Sequence, residues 1–130
     1  MPELPEVETV RRGLEQALAG RTLTAIETRR PDLRRPFPPD LAARLTGRTV
    51  AAVDRRAKYL LLRTAHSGPV AVLHLGMSGR VIIRPRGHNA PPQAHDHLLL
   101  SVDDGTTVTY RDPRRFGSLD LLDSPAAAES

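Results

Sequence analysis

Apolar side chains recur at a helical spacing over the first twenty residues. One apolar stripe would be formed by Val7, Val10, Leu14 and Leu18. Pro5 suits the first turn of a helix, where its missing N–H is not needed, and Gly20 is typical of the residue just beyond a helix end. The first turn would also carry glutamates, which the helix dipole favours at that end. The pattern therefore predicts a helix from about Pro5 to Ala19.

Beyond this helix the pattern changes to short apolar runs of strand length, bounded by turn residues. The runs are Leu23–Glu27, Val50–Val53, Tyr59–Arg63, Val70–Leu75, Val81–Arg84, Leu98–Val102 and Thr107–Tyr110. Asp104-Gly105 lies between the last two and indicates a two-residue hairpin turn. The proline-rich stretch Pro31–Pro39 breaks the pattern, and Asp40–Leu45 is typical of a short helix that ends at Gly47. So many short strands predict a mixed, mainly β fold that closes as a β-sandwich.

Length and composition narrow the class of protein. A chain of 130 residues fits one domain, predicted over residues 1–122, with the Ser-, Pro- and Ala-rich residues 123–130 as a linker or frayed tail. No apolar run is long enough to span a membrane and no signal peptide is visible, so a cytoplasmic location is the default expectation. The absence of cysteine excludes disulfides and thiolate metal sites. A net charge of +4 favours a polyanionic partner such as nucleic acid.

The second residue is a candidate nucleophile. The nitrogen of an internal proline is a tertiary amide, but removal of Met1 would leave Pro2 as a free secondary amine. Such an amine condenses with a carbonyl to a cationic iminium, which makes the neighbouring C–H acidic enough for elimination. Carboxylates at Glu3 and Glu6 would lie within reach to move protons. The alternative is that Met-Pro is an ordinary translation start and that the helix simply caps a domain.

Lys58 is the only lysine among the 19 basic residues of the chain. Arginine stays protonated at any accessible pH, whereas lysine can release and recover a proton when its surroundings lower its pKa. Lys58 is therefore a candidate for proton transfer. The alternative is a lysine retained by chance on a solvated strand.

Two loops place apolar side chains beside glycine or arginine. Gly76-Met77-Ser78-Gly79 carries the only internal methionine, and residues 112–117 carry Phe116 next to Arg114 and Arg115. Enzymes that act on a base must extrude it, and an apolar wedge beside arginine suits that task. The alternative is that Met77 and Phe116 point inward and belong to the core.

His95-Asp96-His97 is a weaker signal. Alternate residues of a strand share a face, so the two histidines could bind a metal, but no third ligand is in register. A structural or phosphate-contacting role is favoured.

Five segments together resemble formamidopyrimidine-DNA glycosylase, and they occur in that family's order. They are PELPEVETVRRGLE at 2–15, RRAKYLLL at 55–62, HLGMSGR at 74–80, HDH at 95–97 and YRDPRRFG at 110–117. The related endonuclease VIII branch shares the Pro-Glu start, but PELPEVET and DPRRFG are more similar to the formamidopyrimidine branch. The resemblance implies a β-sandwich with an N-terminal α-helix packed alongside, in agreement with the hydrophobic pattern.

The resemblance also implies an activity, the removal of oxidised purines such as formamidopyrimidine and 8-oxoguanine followed by β-elimination. Pro2 would attack C1′ of the damaged nucleotide and displace the base. Glu3 and Glu6 would assist proton movements around the sugar, and Lys58 would meet the DNA backbone and take part in proton transfer during elimination.

The implied partner is double-stranded damaged DNA, bound by a monomer. By resemblance, Met77, Arg114 and Phe116 supply the wedge that enters the duplex, and His95 contacts the DNA backbone.

This sequence departs from the family in length. Family members continue into a helix–two-turn–helix segment and a cysteine-ligated zinc finger, and neither is present here, so no cofactor is expected in this chain. The expectation is an N-terminal catalytic domain, a fragment or truncated product whose activity alone is in question. A non-catalytic damaged-DNA-binding module or decayed paralogue is the main alternative. A basic scaffold for acidic proteins is the third.

Overall fold

The computed structural model describes residues 4–29, 33, 35–115 and 117–126. Within those ranges the chain forms two helices and eight strands. The helices are α1 (Leu4–Leu18) and α2 (Leu41–Leu45). The strands are β1 (Leu23–Thr28), β2 (Val50–Arg56), β3 (Tyr59–Thr64), β4 (Val70–His74), β5 (Arg80–Arg84), β6 (Asp96–Val102), β7 (Thr107–Arg111) and β8 (Ser118–Leu122).

The strands form two four-stranded antiparallel sheets. One sheet has the order β1-β6-β7-β5 and the other has the order β2-β3-β4-β8. Buried side chains of both sheets meet in one main apolar cluster, which includes Leu98 and Val108 from one sheet and Leu60 and Leu119 from the other. The predicted mainly β sandwich is confirmed.

Helix α1 packs alongside the sandwich through the predicted apolar stripe. Val7, Leu14 and Leu18 are buried, because their spacing places them on one face of the helix. Polar contacts fix the helix against β2, since the Arg11 guanidinium donates to the Val53 carbonyl at 3.1 Å and the Val53 N–H donates to the Glu15 carboxylate. Gly20 ends the helix at a φ of +81°, a conformation that favours glycine. In the part of the chain that the structure describes, no helix is long and apolar enough to cross a membrane.

The hairpin between β6 and β7 differs from the predicted two-residue turn. The Val102 N–H donates to the Thr106 carbonyl, which leaves a three-residue loop with Gly105 at a φ of +88°. The Thr106 N–H donates to the Asp104 carboxylate at 3.0 Å and lowers the pKa of Asp104. The side chain of Asp104 therefore stabilises the longer loop. The Asp-Gly pair alone does not distinguish this loop from a two-residue turn.

The proline-rich stretch contributes to the core. Leu33 and Phe37 are buried in the main apolar cluster, although no periodicity marks them. An ion pair of 2.5 Å between Arg35 and Asp120 of β8 attaches the same segment to the edge of one sheet.

Candidate functional site

Those predicted site residues that the structure describes gather at one end of the sandwich. Antiparallel strands finish and begin alternately at this end of the sheets. The residue pairs that mark it are Arg56–Tyr59, His74–Ser118 and Arg80–Arg111. The Lys58 turn, the Met77 loop and the loop of residues 112–117 leave the sheets at these positions. Sequence positions that are far apart are thereby brought to one face.

The N-terminal end of α1 faces outward. Leu4 is 45% exposed and Glu6 in the first turn is also exposed. Pro2 and Glu3 lie outside the described residues, so their predicted roles remain predictions.

Lys58 lies in the two-residue turn of the β2–β3 hairpin rather than on a strand. Arg56 pairs with Tyr59 across the turn, and Ala57 has a φ of +51°. The side chain of Lys58 is partly exposed at the turn. A lysine there can reach a ligand beyond the end of the sheet.

Arg55 joins the helix to the lysine turn. Its Nε donates to Glu8 Oε1 at 3.0 Å and its Nη1 donates to the Ala57 carbonyl at 3.1 Å. Arg11 and Arg55, together with Arg12, hold the pKa of Glu8 at about 2. Glu8 is therefore ionised at neutral pH and keeps the first turns of α1 beside the turn that carries Lys58. The spacing of Glu8, Arg11 and Arg12 signals a helical ion pair, but nothing in the sequence points to Arg55 as the link.

The Met77 loop connects β4 to β5 and projects its methionine outward. Met77 is 53% exposed, which overturns the alternative that it belongs to the core. Gly76 has a φ of +66°, and its N–H donates to His74 Nδ1 at 3.0 Å. His74, which had no predicted role, thus fixes the start of this loop. Its ring also lies 4.8 Å from that of Tyr59, between centroids.

The loop of residues 112–117 presents arginine beside the Met77 loop. Arg114 is exposed, and Arg115 has a φ of +56°, which is unusual for arginine. Phe116 lies outside the described residues, so neither the wedge prediction nor the core alternative is tested there.

A buried carboxylate joins these two loops. Asp112 is 0% exposed. Its Oδ1 accepts hydrogen bonds from the Ser78 hydroxyl at 2.6 Å and the Arg114 N–H at 3.2 Å, and its Oδ2 accepts from the Tyr110 hydroxyl at 2.6 Å and the Gly117 N–H at 3.1 Å. Burial alone would raise the pKa of Asp112, but these hydrogen bonds outweigh it and hold the pKa below its usual value.

The Tyr110 hydroxyl fills the space between two glycines. A Cβ at Gly117 would lie 1.9 Å from this oxygen, and one at Gly79 would lie 2.5 Å from it. Burial and the neighbouring Asp112 carboxylate raise the pKa of Tyr110 well above its ordinary value, so the hydroxyl keeps its proton and donates a hydrogen bond to Asp112. The glycines of the two motifs are thus required by this close approach.

Gly117→Ala should lower the free energy of unfolding by about 1–3 kcal/mol, the usual result of overpacking a filled site. The new methyl would collide with the Tyr110 hydroxyl and with the His74 carbonyl, 2.5 Å away, and a backbone atom cannot rotate aside. Gly13→Ala is the matched control, because its Cβ would meet only Ile83 at 3.4 Å on a helix. Urea unfolding should show Gly13→Ala neutral or stabilising. Equal losses for both variants would contradict the packing argument.

The three residues of the His-Asp-His motif have different surroundings. His95 is exposed and lies just before β6, whereas Asp96 and His97 are buried. A register shift between Asp96 and Leu98 explains why neighbouring side chains do not alternate. The rings of His95 and His97 lie 6.5 Å apart between centroids, but His97 is buried, and among the described residues no group of three or more His, Asp or Glu is placed to hold a metal.

Asp96 and His97 are structural. Asp96 Oδ1 lies 2.6 Å from Arg111 Nε. Burial would raise the pKa of Asp96, but the Arg111 guanidinium and the Gln93 N–H outweigh it and lower that pKa. His97 Nε2 lies 2.7 Å from the Asp112 carbonyl oxygen and donates to it. These contacts hold the segment that exposes His95 against the loop of Asp112, whose N–H donates to the His95 carbonyl at 3.0 Å.

The class of fold is a β-sandwich in which the loops that carry the motifs meet at one end, beside an exposed helix N-terminus. Comparison with known proteins identifies the family. Residues 1–119 match the family described as the formamidopyrimidine-DNA glycosylase N-terminal domain. The chain belongs to this family.

The curated relatives are similar over nearly the whole chain. Formamidopyrimidine-DNA glycosylase of Rhodospirillum rubrum is 56% identical over 123 residues, which are 95% of this chain and 43% of the relative. The protein of the same name from Rhizorhabdus wittichii is 58% identical over 122 residues, 94% of this chain and 43% of the relative. The chain thus spans less than half the length of these relatives.

Solved structures agree in fold. Lactococcus lactis formamidopyrimidine-DNA glycosylase, non-covalently bound to DNA containing an AP site, superposes with a TM-score of 0.85 at 34% identity and covers 98% of this chain and 48% of that chain. A complex of the Lactococcus lactis protein with DNA containing N7-benzyl-Fapy-dG has the same TM-score at 35% identity, over 98% of this chain and 46% of that one.

Proposed function

We propose that this chain is the N-terminal catalytic domain, residues 1–122, of a base-excision repair DNA glycosylase and abasic-site lyase that removes oxidised purines. The observation that carries the proposal is the convergence of the α1 N-terminus, the Lys58 turn, the Met77 loop and the Arg114 loop at one end of the sandwich. Relatives bound to abasic or Fapy-containing DNA support a damaged-DNA substrate. The proposed setting is a cytoplasmic monomer acting on double-stranded DNA.

The proposed reaction begins at Pro2 after removal of Met1. Its secondary amine forms a bond to C1′ as the C1′–N glycosidic bond breaks, and the base leaves with the electron pair and takes up a proton. Ring opening of the sugar gives an iminium. Glu3 and Glu6 assist these proton movements.

The iminium then drives strand cleavage. It acts as an electron sink, so the C2′–H bond can lose its proton and the C3′–O bond to phosphate breaks in β-elimination. Lys58 takes part in proton transfer at the backbone. The Glu8–Arg55 bridge supports this role, because it holds the lysine turn beside α1, which follows Pro2 in the sequence.

The proposed wedge comprises Met77, Arg114 and Phe116. Its two apolar side chains enter the base stack, whereas Arg114, like His95, contacts the DNA backbone. The exposure of Met77, Arg114 and His95 at the same end of the molecule supports these roles. The proposal needs no metal in this chain.

The proposal is tested by strand cleavage of a duplex with one abasic site, at low salt and micromolar protein. Cleavage that leaves a β-elimination end is the expected result. Binding without cleavage by protein whose N-terminal residue is proline would contradict catalysis and favour a binding module.

DNA binding by this chain alone should be weak, steeply salt-dependent and close to non-specific. Each phosphate contact that a protein lacks lowers affinity strongly at physiological salt. Arg114→Ala should weaken binding to all duplexes and reduce the salt slope by about one, because a backbone contact is lost. Arg86→Ala is the matched control, since Arg86 is exposed just beyond the opposite end of β5. Fluorescence anisotropy across a salt series measures both, and equal slopes for the two variants would exclude Arg114 as an anchor.

A further inference from the structure

We propose that Asp112 is a positioning residue that couples the Met77 loop to the Arg114 loop, so that the two loops meet DNA as one unit. This inference rests on the proposed function, in which both loops contact the duplex. Asp112 is itself 0% exposed and cannot reach DNA. It acts through the backbone and side chains of the loops that surround it.

The coupling depends on one shared oxygen. Asp112 Oδ1 accepts from the Ser78 hydroxyl of one loop and from the Arg114 N–H of the other, at 2.6 and 3.2 Å. Ser78 is adjacent to Met77 in sequence. A displacement of either loop must therefore move or break the hydrogen bond of the other.

The second carboxylate oxygen closes the network. Oδ2 accepts from the Tyr110 hydroxyl and from the Gly117 N–H, at 2.6 and 3.1 Å. The Tyr110 oxygen also lies 3.3 Å from the Leu75 carbonyl oxygen, just before the Met77 loop, and its single proton is shared between this longer contact and the shorter one to Asp112. The Asp112 carboxylate thus holds the Gly117 end of its own loop and, through Ser78, the Met77 loop.

Only a carboxylate satisfies this set of partners, because all four are donors. In Asp112→Asn an amide nitrogen would replace one oxygen and face two of these donors. The hydroxyls of Ser78 and Tyr110 can rotate to accept, but the N–H groups of Arg114 and Gly117 cannot, so one backbone donor would lose its partner. Because the two backbone N–H groups donate to different oxygens, both oxygens of an aspartate are needed.

The main experiment compares cleavage of two duplexes by this chain, one with 8-oxoguanine paired to cytosine and one with a preformed abasic site. Ser78→Ala should lower the rate on the paired lesion relative to the abasic site by about three- to tenfold, as expected for one lost hydrogen bond. The effect should vanish when Met77→Ala is already present, since Ser78 acts through Met77. Ser101→Ala, within β6, is the matched control and should change neither rate.

A second measurement does not depend on activity. In amide NMR spectra of the free chain, Ser78→Ala should shift the Arg114 and Gly117 resonances, although Ser78 is 34 residues from Asp112. Asp112→Asn should shift these resonances and also that of the Met77 methyl group. Ser101→Ala should shift none of them.

The outcomes separate the two proposals. Unmoved Arg114 and Gly117 resonances in Ser78→Ala, or a Ser78→Ala effect that persists beside Met77→Ala, would overturn the coupling. If the unaltered chain cleaves neither duplex, the proposed function fails while the NMR result still decides the coupling. Should Asp112→Asn not fold, Ser78→Ala carries the test alone.

Discussion

Extension of the N-terminus by a few residues that cannot be removed should abolish cleavage of abasic-site DNA. The extension converts the Pro2 nitrogen from a secondary amine into a tertiary amide without a usable lone pair. It leaves Lys58, Glu6 and the loops unchanged, so DNA binding should persist. Strand cleavage and anisotropy, measured on the same preparation, separate the two effects.

Pro2→Gly is the informative companion to the extended protein. Once Met1 is removed, it supplies a primary amine at a similar position, so a reduced rate of cleavage is expected rather than none. If the extended protein cleaved at the rate of the original chain, the N-terminal nitrogen would be excluded as the nucleophile.

Replacement of both proposed wedge residues, Met77→Ala with Phe116→Ala, should lower the rate on a paired damaged base by roughly ten- to a hundredfold. An extruded base forfeits stacking worth a few kcal/mol, and apolar side chains in the stack compensate for part of that loss. A preformed abasic site has no base to extrude, so its cleavage should change much less. Single-turnover rates on the two substrates measure the difference.

Arg114→Ala is the control for the wedge, because loss of a backbone contact should affect both substrates alike. An equal loss on both substrates in the Met77 and Phe116 double variant would mean that these residues bind DNA generally. The exposure of Met77 agrees with the wedge role.

Local patterns were sufficient to predict most of the fold. The stripe of Val7, Val10, Leu14 and Leu18 predicted α1, and the apolar runs located β1 to β7 within a few residues, because each element buries one regular face. Strand β8 lies outside those runs. The prediction was less accurate where a hydrogen bond from a side chain sets the backbone conformation, as in the Asp104 loop. It also missed Leu33 and Phe37, which enter the core from an irregular segment without periodicity.

For the candidate site, the sequence predicted which residues lie together among those described, but not the contacts that position them. Motif resemblance pointed to Lys58, Met77, His95 and Arg114, and the structure places all four at one end of the sandwich. The groups that position them were not predicted. Arg55 and Asp112 act through tertiary partners 47 and 34 residues away, and no local spacing encodes such contacts.

The length that this chain shares with its relatives bears on the DNA binding proposed for it. The curated relatives are more than twice as long as the part that this chain matches. The chain contains the proposed nucleophile and wedge, and the weak binding expected of it follows from the phosphate contacts that a longer protein would add.

The most direct test of the account is borohydride trapping on abasic-site DNA, followed by mapping of the adduct. Borohydride should reduce the iminium to a stable amine, and peptide mapping by mass spectrometry should place the adduct on residue 2. Lys58 is the rival amine, and Lys58→Arg keeps its charge while removing the usable lone pair. An adduct that survives the uncleavable N-terminal extension and disappears in Lys58→Arg would assign the nucleophile to Lys58 and contradict the proposed mechanism.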